Sequence, residues 1–268
     1  MTLFAQALPP WLLYALLYLV TALVGLGVGS VVNLLADRVI GEDEPKRSAC
    51  QCARCGELLP HPRLITLPAL WRRGHCPNCN APLSLRRPLV EATLALLTPL
   101  LLAHLLASNM APHLPLWAVF AFEALTVAVL AGVFVVDLEH RLIYDIAIYP
   151  LGALALLLAL VFDRRALLPM VFGVVIGGGL FLIFYGLGWL IYQQEALGFG
   201  DVKLAALAGL LVGWPAITTT LLLTAVSGAV VSLLLLVFGG VERRSFIPFG
   251  IFLAAAAALT LLVASPVW

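Results

Sequence analysis

Two acids stand at the edges of apolar runs: Asp137 in "FVVDLEHRLIYD" and Asp201 in "GFGDVKL". Ionisable side chains in or beside a membrane-length apolar segment are costly, so they mark a site or a pathway. Glu91, Glu123, Glu139 and Asp145 belong to the same class. Asp137 and Asp201 lie 64 positions apart, so only helix packing could bring them together. Carboxylates about 3 Å apart cannot both ionise and share one proton. The ionised member can then take a proton from water while the protonated one polarises a peptide carbonyl. That is the chemistry of an aspartyl hydrolase.

Gly198 and Gly200 flank the second acid. Without side chains they would permit φ > 0 and a close approach of substrate backbone to Asp201. The plainer alternative is a loop with Asp201 capping the next helix. Lys203 is either an interfacial cation with its stem along apolar surface or a local tuner of Asp201.

All five cysteines fall between residues 50 and 79. "CARC" (Cys52, Cys55) and "CPNC" (Cys76, Cys79) are C-x-x-C knuckles twenty residues apart, followed by Gly56 and Asn80, where a tight turn around a metal needs small residues. Four thiolates at this spacing suit tetrahedral Zn²⁺ in a closed, structural site. Two disulfides and an iron-sulfur centre are the alternatives, the first disfavoured in a reducing compartment. Cys50 is a spare thiol.

The elements that must position these groups follow from composition. With 63% of 268 residues hydrophobic and 11% charged, the chain carries more apolar surface than a soluble core can hide. It is expected to be an all-α polytopic membrane protein with about eight transmembrane segments. The candidates are 11–36, 88–107, 115–137, 145–162, 167–192, 202–213, 216–238 and 247–264. The sixth, cut short by Trp214-Pro215, reads as a half-helix or a tightly turned hairpin, the alternative being one kinked helix over 202–238. The N-terminal run lacks the basic flank and cleavage site of a signal peptide and is expected to stay as a membrane helix. Gly25/Gly29 and Gly173/Gly177 are G-x-x-x-G pairs that let helices approach closely.

Charge fixes an orientation. Nine of the fifteen Lys and Arg lie from Arg38 to Arg87. With that cysteine-bearing insert in the cytoplasm and eight crossings, Arg141, Lys203, Arg243 and Arg244 join the nine. Only Arg164 and Arg165 then stand outside, against the positive-inside bias that the other basic residues obey. Asp137 and Asp201 would both meet the cytoplasmic face.

In this order the motifs resemble the type IV prepilin leader peptidases, bacterial membrane aspartic peptidases of the G-x-G-D class. "GSVVNLLADR" (Gly29 to Arg38), the two knuckles, "RRGHCPNCNAPLSLRRPLVE", "DLEHRLIYD" and "GFGDVKL" carry the resemblance along nearly the whole chain. It implies that Asp137 and Asp201 are the catalytic pair, with Gly198, Gly200 and Lys203 in the second motif. It also implies cleavage of the basic leader of prepilins or type II secretion pseudopilins after a glycine, at the cytoplasmic face of the inner membrane. Many members then N-methylate the new terminus with S-adenosylmethionine, and in these the cysteine loop is present. The implied division is 1–36 as the first membrane helix, 37–88 as the zinc-ribbon-like insert with the methyltransferase part, and 89–268 as the peptidase. Partners would be the substrates and the lipid bilayer, with no nucleic acid.

Two departures stand out. Tyr144 replaces the family's usual proline before Asp145, which weakens any role for Asp145. The loop has no nucleotide fingerprint to carry methyl-donor residues. The competing function is an ion or proton transporter, or a membrane scaffold, with a zinc-stapled loop.

Overall fold

The computed structural model describes residues 9–40, 78–80, 85–108, 115–193, 197–238 and 248–263. Among these residues the regular elements are helices, with no strand: α1 (Pro10–Ile40), α2 (Arg86–Ala107), α3 (Leu116–His140), α4 (Asp145–Phe162), a 3-10 turn (Arg164–Ala166), α5 (Leu167–Tyr192), α6 (Phe199–Val212), α7 (Ala216–Phe238) and α8 (Gly250–Val263). Six of them, α1 to α5 and α7, are long and apolar enough to cross a membrane. At 14 residues each, α6 and α8 rise about 21 Å, short of the roughly 30 Å hydrocarbon core. Each helix falls on an apolar run of the sequence. Composition, not amphipathic periodicity, marks where the helices lie, because lipid and neighbouring helices are both apolar.

The chain forms two compact units, Met1–Asn109 and Met110–Trp268. In the first, α1 and α2 pair antiparallel through polar contacts spread along their length. Thr98 Oγ1 donates to the Thr21 carbonyl (2.9 Å), Ser30 Oγ donates to Glu91 Oε1 (3.0 Å), and Asp37 bridges Arg86 and Arg87. A Cβ at Gly29 would lie 2.7 Å from the Glu91 Cα, so the first G-x-x-x-G pair does allow the close approach expected of it. Glu91, one of the acids beside an apolar run, is buried between the helices.

In the second unit α6 is the central element. Ten of its fourteen residues are buried, and it packs on α4, α5, α7 and α8. A Cβ at Gly177 would come within 2.6 Å of the Ala205 carbonyl oxygen, so α5 and α6 meet through backbone. The end of α6 is tied down too: Gly213 takes φ 65°, and the Trp214 N–H donates to the Pro169 carbonyl at 3.0 Å. Thr220 and Thr260 join α7 to α8 by a buried hydroxyl hydrogen bond of 2.9 Å.

Candidate active site

Four helix ends of the second unit meet at one place: the C-terminus of α3 and the N-termini of α4, α6 and α8. Asp137 stands in the last turn of α3 and Asp201 in the first turn of α6, with relative exposures of 4% and 9%. Both sequence-expected acids are therefore withdrawn from the surface, and they are close enough to interact electrostatically. Packing has joined residues that the chain keeps far apart.

Helix termini supply the local field. A carboxylate at the C-terminus of its own helix faces the negative end of the dipole. Asp137 offsets this by leaning on another helix, where the backbone N–H of Ile251, at the start of α8, donates to its carboxylate. Its Oδ2 has no hydrogen-bond partner among the described residues. The approach depends on Gly250, because a Cβ there would lie 2.6 Å from Asp137 Oδ2 and 3.0 Å from Ile143 Cδ1.

Asp201 occupies the third position of α6, and Gly198 is the N-cap. Its side chain accepts from the Gly198 N–H, which is the acid half of a capping box. The N-cap role foreseen for Asp201 thus falls to Gly198. The expected positive φ at the two glycines is not found: Gly198 is extended at φ −67°, ψ 136°, and Gly200 is helical. The lack of a side chain at Gly200 serves packing, since a Cβ would stand 3.1 Å from the Ile143 Cβ. At Gly198 the nearest neighbour of such an atom is Asp201 Oδ2 at 3.6 Å, an ordinary contact.

The connection between α3 and α4 completes the floor. Arg141 closes α3 in the left-handed conformation (φ 55°, ψ 35°), and its N–H donates to the Asp137 carbonyl at 2.9 Å. Ile143 then packs against both Gly200 and Gly250. Lys203 is bound to Asp145, with Nζ 2.7 and 2.9 Å from the two carboxylate oxygens. Gly250 is a residue that sequence reasoning missed, whereas Asp145 was noted among the acids but left without a role. The Pro248-Phe249-Gly250 turn before an apolar run was the available signal for Gly250.

An apolar cavity of about 430 Å³ lies among α5, α7 and the residues just before α6 and α8, lined by Phe181, Phe184, Leu187, Leu197, Leu221 and Phe249 among others. Leu197 precedes Gly198 and Phe249 precedes Gly250, so the cavity adjoins both glycines of the site.

Of the expected metal ligands, Cys52, Cys55 and Cys76 lie outside the described residues. Cys79 sits in a turn that ends at Asn80 with φ 54°. That left-handed residue is where the sequence places the small side chain of the second knuckle.

Residues 124–265 match the type IV leader peptidase family, and residues 23–105 match the bacterial peptidase A24 N-terminal domain. Among curated relatives, the chain is 31% identical to the prepilin leader peptidase/N-methyltransferase of Aeromonas hydrophila, covering 94% of this chain and 91% of that protein. It is 31% identical to the protein of the same name from Pseudomonas aeruginosa, over 91% of this chain and 89% of that one. For the Myxococcus xanthus protein of that name the identity is 32%, over 81% and 62%. No solved structure matches the chain.

Proposed function

The chain belongs to the type IV leader peptidase family, and from that premise we propose that it is a membrane aspartic endopeptidase. It removes the short basic leader of type IV prepilins or type II secretion pseudopilins and then N-methylates the new terminus. One observation carries the peptidase part: packing buries two aspartates from distant positions at the meeting of four helix ends, with Ile143 wedged against Gly200 beside the one and Gly250 beside the other.

In the mechanism the pair holds one proton between its two carboxylates. The ionised acid takes a proton from a water molecule, whose oxygen bonds to the carbonyl carbon of the scissile peptide. The protonated acid gives its proton to the carbonyl oxygen. Collapse of the tetrahedral adduct breaks the C–N bond: the departing amine leaves with the proton held by one acid, while a hydroxyl of the adduct gives its proton to the other and restores the singly protonated pair. The unpartnered Oδ2 of Asp137 is available for such transfer, whereas the Gly198 and Ile251 amides steady the two carboxylates. The apolar cavity next to Gly198 and Gly250 suits the apolar stretch of a membrane-borne substrate.

The finer assignments are part of the same proposal. The acids lie at the cytoplasmic face of the inner membrane, supported by Arg141 and Lys203 at that end, by Arg243 and Arg244 in the sequence between α7 and α8, and by the positive-inside bias. Eight segments make up the membrane part, with α6 a half-helix enclosed by its neighbours, as its length and burial support. Cys52, Cys55, Cys76 and Cys79 hold a structural Zn²⁺ that pins the insert; the all-thiolate donor set and the left-handed Asn80 fit such a site. S-adenosylmethionine, when bound, supplies an electrophilic methyl group to the new terminal amine, which loses a proton as the N–C bond forms.

The test is mass spectrometry of a basic-leader prepilin incubated with the purified protein, with and without S-adenosylmethionine. Leader loss in both samples and an added methyl group only with the donor are expected. An uncleaved substrate contradicts the peptidase assignment, and a cleaved, unmethylated one reduces the protein to a peptidase.

A further inference from the structure

Lys203 follows Asp201 by two residues on α6, so the two side chains leave the helix about 160° apart. One is buried and the other reaches the surface, with 26% of its side chain exposed. Its Nζ meets both oxygens of Asp145, the first residue of α4, at 2.7 and 2.9 Å. It also lies 5.7 Å from the ring centre of Tyr149, one turn along α4, and 5.4 Å from that of Phe199, the first residue of α6. Phe199 in turn stands edge-on to Tyr185 of α5, 5.6 Å between centres. A cation needing only water would make none of these contacts.

The other end of this linkage returns to the active site. Eight positions separate Asp145 from Asp137, and Ile143 between them packs against Gly200 and Gly250. One short segment therefore bears the first acid, a wedge against the helix of the second acid, and the anchor that grips that helix from its far side. Resting on the peptidase assignment above, we propose that Asp145 is a positioning residue: through its ion pair with Lys203 it fixes the rotation of α6 and keeps Asp201 turned toward Asp137. A half-exposed ion pair contributes little to global stability. A misplacement of about 1 Å in a catalytic group, by contrast, can cost about a hundredfold in rate.

The test compares D145A, K203M and the exchanged pair D145K/K203D with wild type, using leader cleavage and hydrogen exchange. Each single variant should lower kcat about tenfold to a hundredfold, leave KM within about twofold, and shift the melting temperature by no more than a few degrees. The exchanged pair should recover most of the lost kcat. Asp145→Asn keeps an acceptor oxygen and should lose less than D145A. Exchange of the 199–203 amides should quicken in D145A and slow again in the exchanged pair. This second readout tests the clamp even if the protein cleaves no prepilin, a result that would count against the peptidase assignment alone. Wild-type kcat in D145A, or unchanged exchange at those amides, overturns the proposal.

Discussion

At Gly250 a single missing side chain decides how near α8 can come to Asp137, because its Cβ would intrude on Oδ2. Gly250→Ala should lower kcat/KM for leader cleavage about tenfold to a hundredfold while far-UV circular dichroism stays that of the wild type. Wild-type cleavage in this variant would show that the carboxylate has room to shift. Gly200→Val should also lose cleavage, through displacement of Ile143 (3.1 Å from the added Cβ), with bound zinc retained. Asp137 and Asp201 could be singled out in the sequence only through the resemblance, because four other acids also stand in or beside apolar runs. Gly250 and the role of Asp145 were not legible there, since each residue acts on another that only packing brings near. The glycines of "GFGD" were legible as important and misread in cause. They provide an N-cap and a close contact, with no positive φ.

Among the described residues, the apolar runs gave the order of the helices, because a lipid-facing or buried helix must be apolar along most of its length. Their ends were less legible: α1 continues to Ile40 and α6 begins at Phe199, where local hydrogen bonding and not hydropathy sets the boundary. Placement along a helix also separates function from mere burial. Glu123 is buried in α3 with neither carboxylate oxygen hydrogen-bonded among the described residues. It precedes Asp137 by fourteen positions, about 21 Å along the helix, too far to join the chemistry. Glu123→Gln should therefore cleave leader at a rate within about twofold of wild type, measured in the same assay. A proton or ion pathway through α3 would instead make that variant inactive.

Across the whole molecule, the two family matches fall one in each compact unit, 23–105 in the first and 124–265 in the second. Membrane class and helix content were readable from composition, and the order of motifs revealed the family. The cysteine insert is a separate question with its own measurement. Cys52→Ser or Cys79→Ser should release one zinc per chain by elemental analysis, whereas a disulfide-bonded insert would contain no zinc in the wild type. The central claim rests on the pair of acids, and purified Asp137→Asn and Asp201→Asn proteins address it most directly. Incubated with a basic-leader prepilin, each should show no detectable cleavage while remaining folded and zinc-bound. Leader removal by either variant at the wild-type rate would contradict the assignment of that aspartate to the catalytic pair.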